Sequence, residues 1–169
     1  MICLLYLAAI AVLVAADYFI KLAVVNNMSI GESISVIKGA LNWTYITNSG
    51  ASWGILHGKT IFLVVVTVAL IAAIIWLIVT KRVESVLCNI AFVLVGAGGI
   101  GNLIDRVFNG GKVIDYIDIS PIFNFPIFNF ADCCVCVGGV LFCIYVIFFY
   151  EEKNKEEAAQ ETEEDNETV

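Results

Sequence analysis

Apolar and polar positions divide this chain into four long apolar runs separated by connections of mixed character. Residues 1–16 carry no charge, and the apolar run continues past Asp17 and Lys21 to Val25. Residues 60–80, 86–104 and 133–150 are each free of charged side chains. About 20 helical residues, rising about 1.5 Å each, cross a hydrocarbon layer about 30 Å thick. The pattern therefore predicts four transmembrane helices, at about 2–25, 60–80, 86–104 and 133–150.

Two longer connections, 26–59 and 105–132, must fall on the same side of the membrane. In the first, Leu41-Asn42-Trp43-Thr44-Tyr45 alternates apolar and polar residues, the period of a half-buried strand. Residues 33–37 are its expected partner, with the turn at Lys38-Gly39, so a small sheet should rest on the membrane surface. The second connection opens with the turn signal Asn109-Gly110-Gly111 and continues through the apolar stretch 113–119. Pro121 and Pro126 then forbid continuous helix.

Composition agrees with a bilayer as solvent: 60% of residues are hydrophobic and only 15% charged, more apolar than a soluble domain of 169 residues needs. No Lys or Arg precedes the first run, so the basic segment of a cleaved signal peptide is missing and this helix is expected to be retained. The net charge of −7 is a property of the end of the chain, since nine of the 16 acidic residues lie in 151–169. That tail is expected to be a disordered, solvated cytoplasmic segment, with 1–150 forming the membrane domain. Without the tail the charges balance, leaving no basic surface for nucleic acid. Lys81 and Arg82 in the shortest loop favour a cytoplasmic position for it, but basic residues on the opposite face make the count a tie.

All six cysteines lie in or beside apolar spans, where thiols behave as small hydrophobes, and His57 is the only histidine. Neither a metal site nor a disulfide framework is expected. A serine–histidine–aspartate set is equally hard to assemble around His57.

Polar groups next to hydrocarbon need a reason. Asp17 and Lys21 are four apart, hence on one helix face and able to pair. Asn102, Asp105 and Arg106 share a face by offsets of three and four, and neighbouring glycines would let another backbone approach closely. Asp115 sits in the apolar stretch of the second connection. Asn129 can cap the fourth helix with Asp132 as the acid three residues on. Asp115 and Asp132 fall at the same membrane face. Two carboxyls sharing a partly dry site do not both ionise readily, which supplies one general acid and one general base.

Short blocks spread along the chain resemble the lipoprotein signal peptidases. Asp17-Tyr18-Phe19-Ile20-Lys21 is similar to the first block, which usually has Gln after Asp and Thr before Lys. Asn48-Ser49-Gly50-Ala51-Ser52-Trp53-Gly54-Ile55-Leu56 resembles the family's loop, with Ser52 and Trp53 as departures. Gly101-Asn102-Leu103-Ile104-Asp105-Arg106 matches closely. Val113-Ile114-Asp115-Tyr116, with Tyr in place of Phe, and Phe128-Asn129-Phe130-Ala131-Asp132 with Gly138 complete the set.

The resemblance implies an all-α membrane protein in the bacterial cytoplasmic membrane, both termini cytoplasmic. A small extracytoplasmic sheet and a second extracytoplasmic loop would lie over an active site near the outer face. It implies an aspartic endopeptidase that cuts prolipoproteins before a diacylglyceryl-modified cysteine, without metal or cofactor. By the same resemblance Asp115 and Asp132 are the catalytic dyad. Asn48, Gly50, Asn102, Asp105, Arg106, Asn129 and Ala131 would bind substrate or shape the site, with Asp17 and Lys21 supporting. A monomer working among membrane lipids is expected. The alternative, a small proton-coupled transporter using intramembrane aspartates, would spread ionisable groups through the membrane depth, whereas here they gather at one face.

Overall fold

The computed structural model describes residues 2–50 and 58–150. Residues 51–56 of the loop motif, His57 and the acidic tail 151–169 lie outside the described residues. The four expected spans are helices: α1 Ile2–Asn27, α2 Thr60–Val79, α3 Val86–Phe108 and α4 Phe130–Tyr145. All four are long and apolar enough to cross a membrane, α4 together with the wider π-helical turn Val146–Tyr150 that continues it.

Two boundaries move for local reasons. α3 continues past residue 104 to Phe108, carrying Asn102, Asp105 and Arg106 on helix, until the Asn109 N–H bonds the Asp105 carbonyl at 2.7 Å. Gly110 and Gly111 then adopt left-handed backbone (φ 63° and 86°), the conformation glycine tolerates best, and turn the chain back. α4 starts at Phe130, three residues before the charge-free run, because the expected cap is made. The Asn129 side chain accepts from the Asp132 N–H, and the Asp132 carboxylate accepts from the Asn129 N–H.

The hairpin forms as expected, β1 Ser33–Ile37 against β2 Leu41–Asn48, with Gly39 at φ 74° in the turn. Its extension lies in the second connection: β3 Val113–Asp118 pairs antiparallel with β2, placing Asp115 opposite Ile46 and Val113 opposite Asn48. The sheet order is β1-β2-β3. Val24 of α1 and Met28, just past its end, pack with Tyr45, Ile114 and Tyr116, fastening the sheet to the end of the helix bundle. A second cluster, Ile10, Ile74, Ile78, Val93 and Ala97, forms the core between α1, α2 and α3.

α3 and α4 approach most closely where α3 is rich in glycine. A Cβ on Gly98 would collide with the Ala131 carbonyl, and one on Gly101 would stand 2.5 Å from Asp17 Oδ2. Small residues let membrane helices come this near. Closeness here brings the starts of β3 and α4 and the polar face of α3 to one point.

Candidate active site

Three elements meet there. Asp105, near the end of α3, accepts the Ile114 N–H at 3.0 Å and so holds β3 against the helix it has just left. The chain after β3 loops through 119–127 and returns, Phe128 bonding Tyr116 and Ile117 through backbone groups at 2.7–3.1 Å. That return sets Asn129 beside Asp115 and starts α4.

Asn129 is fully buried and joins the two aspartates. Its Nδ2 donates to Asp115 Oδ1 at 2.6 Å, and its Oδ1 accepts from the Asp132 N–H at 2.9 Å. The same Nδ2 also lies 3.1 Å from Asn102 Oδ1. Asp115 Oδ2 accepts from Asn48 Nδ2 at 3.2 Å, and Asp132 Oδ1 from Asn102 Nδ2 at 2.8 Å. Each carboxyl therefore keeps two amide or peptide donors, Asp132 using the Asn129 N–H for its second at 3.2 Å.

Beneath this layer lies an ionic one. Lys21 contacts Asp17 at 2.8 Å, Asp105 at 2.9 Å and Asn102 Oδ1 at 3.2 Å, so all three ammonium protons are used. Lys21 and Asp17 are 2% exposed, which makes this a buried ion group and not a surface pair. Asp17 Oδ1 also accepts the Ala131 N–H at 3.0 Å, tying α1 to the first turn of α4. The pairing expected for Asp17 and Lys21 is present, enlarged by Asp105. Arg106, adjacent to Asp105 but turned away from it, donates to the Gly50 carbonyl at 3.0 Å and the Asn102 carbonyl at 3.3 Å.

A cleft of about 500 Å³ opens over the two aspartates. Asn48, Gly50, Asn102, Arg106, Asp115 and Asp132 line it. Asn129, Ala131, Asp105, Asp17 and Lys21 stand behind them, acting through hydrogen bonds. The far wall runs from Phe125 to Phe128 with Cys133 and Cys136, and apart from Phe128, which belongs to a quoted block, the sequence assigned it no part in the site. Its signal was the pair of prolines, which mark a shaped loop without saying what it faces.

The two carboxyls differ in surroundings. Asp115 is buried in a strand, while Asp132 is partly exposed in the first turn of a helix, where negative charge is favoured. Burial first, and the charge of Asp132 second, push the Asp115 carboxyl up to about 7. Hydrogen bonds from Asn129 and Asn48 oppose that rise without cancelling it. An acid that holds its proton near neutrality, beside a carboxylate at a cleft wall, is suited to acid–base chemistry on a bound carbonyl. Among the described residues no group of three or more His, Cys, Asp or Glu side chains is placed to hold a metal ion.

Comparison with known proteins shows the family of the chain. Residues 9–148 match the family described as Signal peptidase (SPase) II. The lipoprotein signal peptidase of Enterococcus faecalis is 39% identical over 148 residues, covering 88% of this chain and 89% of that protein. That of Listeria monocytogenes is 41% identical over 142 residues, covering 83% and 91%. A solved structure described as a bacterial membrane enzyme superposes with a TM-score of 0.78 at 34% identity, covering 89% of this chain and 90% of the other. With four helices able to span a bilayer and relatives of this kind, the chain is a multi-pass bacterial membrane protein and belongs to the signal peptidase II family.

Proposed function

We propose that this protein cleaves the signal peptide from prolipoproteins before a diacylglyceryl-modified cysteine, with Asp115 and Asp132 as the catalytic dyad. The observation that carries the reading is the Asn129 bridge, which holds the two carboxyls at the floor of one cleft. Family membership supplies the reaction class. A proton-coupled transporter finds no support among the relatives.

In this reading Asp132 is the base and Asp115 the acid. Asp132 draws a proton from a water molecule as that water attacks the scissile carbonyl. Asp115 gives its proton to the carbonyl oxygen, forming a neutral tetrahedral diol. The pair then returns a proton to the leaving nitrogen as the C–N bond breaks and the carboxyl product forms. Asn48 and Asn102 hold the carboxyls in place, while Arg106 and Gly50 shape the cleft edge that meets the peptide. These steps use carboxyl, amide and water groups alone.

A lipid-bearing substrate has to be met inside the bilayer, which suits a cleft set between helix ends. The sheet and the 119–128 loop share the end of the bundle that carries the dyad. We place that end at the outer face, with both termini cytoplasmic. Both carboxyls and all their donors come from one chain, which favours a working monomer.

The test is purified protein in detergent with a diacylglyceryl-modified prolipoprotein, comparing wild type with Asp115→Asn and Asp132→Asn by gel shift. Cleavage by wild type and loss in both folded variants are expected. Full activity in either variant would remove the dyad. Failure of well-folded wild type on several lipidated substrates would remove the assignment.

A further inference from the structure

The cleft wall carries two thiols that the dyad does not use. Cys133 and Cys136 both line the cavity, and both are free. They are three apart on α4, so they share one helix face with Cβ atoms about 5–6 Å apart. No other two of the six cysteines stand three or four apart in the sequence. Side chains on a helix lean toward its N-terminus, so Cys136 leans over the turn that carries Cys133 and Asp132, and all three line the same cavity. Cys136 is exposed and Cys133 half-buried, whereas the intervening Cys134 is buried away from the cavity.

We propose that Cys133 and Cys136 form a dithiol site in the cleft wall that takes a thiophilic trivalent organoarsenic ligand, and that its occupation closes the cleft to peptide. Two neighbouring thiols bind trivalent arsenic far better than one, because the second As–S bond forms within the same molecule. The step balances without oxidant or reductant. Two S–H bonds and the arsenic–oxygen bond of an arsenoxide break, two As–S bonds form, the oxygen leaves as water with both thiol protons, and arsenic stays trivalent. An aryl group carried on that arsenic would stand in the cavity beside Asp132, where the peptide must lie. The closing effect rests on the function proposed above; the dithiol itself does not.

The test treats the purified full-length protein with phenylarsine oxide, reading adducts by intact mass and prolipoprotein cleavage by gel shift. One arsenic bridge per wild-type chain, removed by dimercaptopropanol, is expected, with cleavage lost on treatment and recovered on removal. Cys133→Ala and Cys136→Ser should each lose the bridge and, measured against their own untreated activity, resist inhibition. Cys134→Ala should bind like wild type. The same bridge in both single variants, its loss in Cys134→Ala, or no bridge in wild type would overturn the site. A bridged enzyme that still cleaves would overturn the closing effect. Untreated wild type that cleaves no lipidated substrate would instead sink the proposed function, leaving the adduct measurement to stand by itself.

Discussion

Lys21 Nζ lies 3.2 Å from the side-chain oxygen of Asn102, and that contact fixes which end of the amide faces Asp132. An ammonium group only donates, so the atom turned toward it must be oxygen. The nitrogen is then left to donate to Asp132 Oδ1 at 2.8 Å. Asn129 is oriented by the same logic, since its oxygen faces the Asp132 N–H and its nitrogen Asp115. A buried lysine that touches neither Asp115 nor Asp132 thus sets the polarity of a donor that Asp132 receives.

Replacing Lys21 with Met should therefore injure the protein twice. Asp17 and Asp105 would be left as buried carboxylates without their cation, and breaking such a group typically costs about 3–5 kcal/mol. The Asn102 amide would also lose the partner that orients it. A large drop in the thermal midpoint in detergent is expected. A midpoint within a degree or two of wild type would mean the ion group does not hold the bundle together.

Asn102→Leu separates the second effect from the first. The change keeps the side-chain volume close and leaves Lys21 with both carboxylates, yet removes the donor to Asp132. A fall in kcat of roughly a hundredfold, with KM little changed, is the expected result for losing one aligned donor at a reacting carboxylate. An effect confined to KM would reassign Asn102 to substrate binding.

Much of this was legible in the sequence, and the rest failed for a definable reason. The helices follow from apolar runs of membrane-spanning length, and the hairpin from alternation around Lys38-Gly39. Even the cap was readable, because Asn129 and Asp132 have the spacing a capping box requires. What was not readable is that residues 113–118 form the third strand. That stretch is buried on nearly every residue, so the two-residue period that identifies a strand is erased. Nor does spacing reveal that Lys21 serves Asp105 and Asn102 as well as Asp17, since 81 residues separate Lys21 from Asn102. Contacts of that kind are created by packing α1 against α3, and no local pattern records them.

Asn129 offers a way to divide folding from chemistry. Asn129→Ala removes both the cap and the bridge, and loss of a cap alone costs about 1 kcal/mol. Asn129→Ser keeps a good capping residue, but its side chain is too short to reach Asp115. Asn129→Ser should be the more stable of the two in thermal unfolding, while both lose most cleavage activity. Activity near wild type in Asn129→Ser would show that the bridge to Asp115 is dispensable.

Gly101 tests the close approach. A methyl group there would stand 2.5 Å from Asp17 Oδ2 and 3.3 Å from the Ala131 Cβ. Asp17 is held on its two sides by Lys21 and the Ala131 N–H, so moving it disturbs α1 and α4 together. Gly101→Ala is expected to cost about 1–3 kcal/mol, the usual range for overpacking. At Gly139, where an added methyl meets nothing within 4 Å, the same substitution should be near neutral in thermal unfolding. Equal midpoints for the two variants would contradict the packing described here.

The Asp115 carboxyl makes both activity and stability depend on pH, and the direction of each can be worked out. Burial, then the charge of Asp132, raises it to about 7. As the acid of the proposed dyad it would have to be protonated, so cleavage should fall as pH rises through about 7. Stability follows the same sign. A carboxyl raised above its unfolded value near 3.9 stabilises the fold fully only below that value. The contribution is then lost progressively as pH climbs from about 4 to about 7, where the folded site comes to hold a buried charge. Asn at position 115 cannot ionise, so Asp115→Asn should gain on wild type over that window. The measurement is the difference in thermal midpoint between the two proteins in detergent, taken near pH 4 and again near pH 8. A difference that moves toward the variant at the higher pH supports a raised Asp115 carboxyl. A constant difference, or one moving toward wild type, would mean the Asp115 carboxyl is not raised, and the acid of the proposed dyad would have to be sought in Asp132.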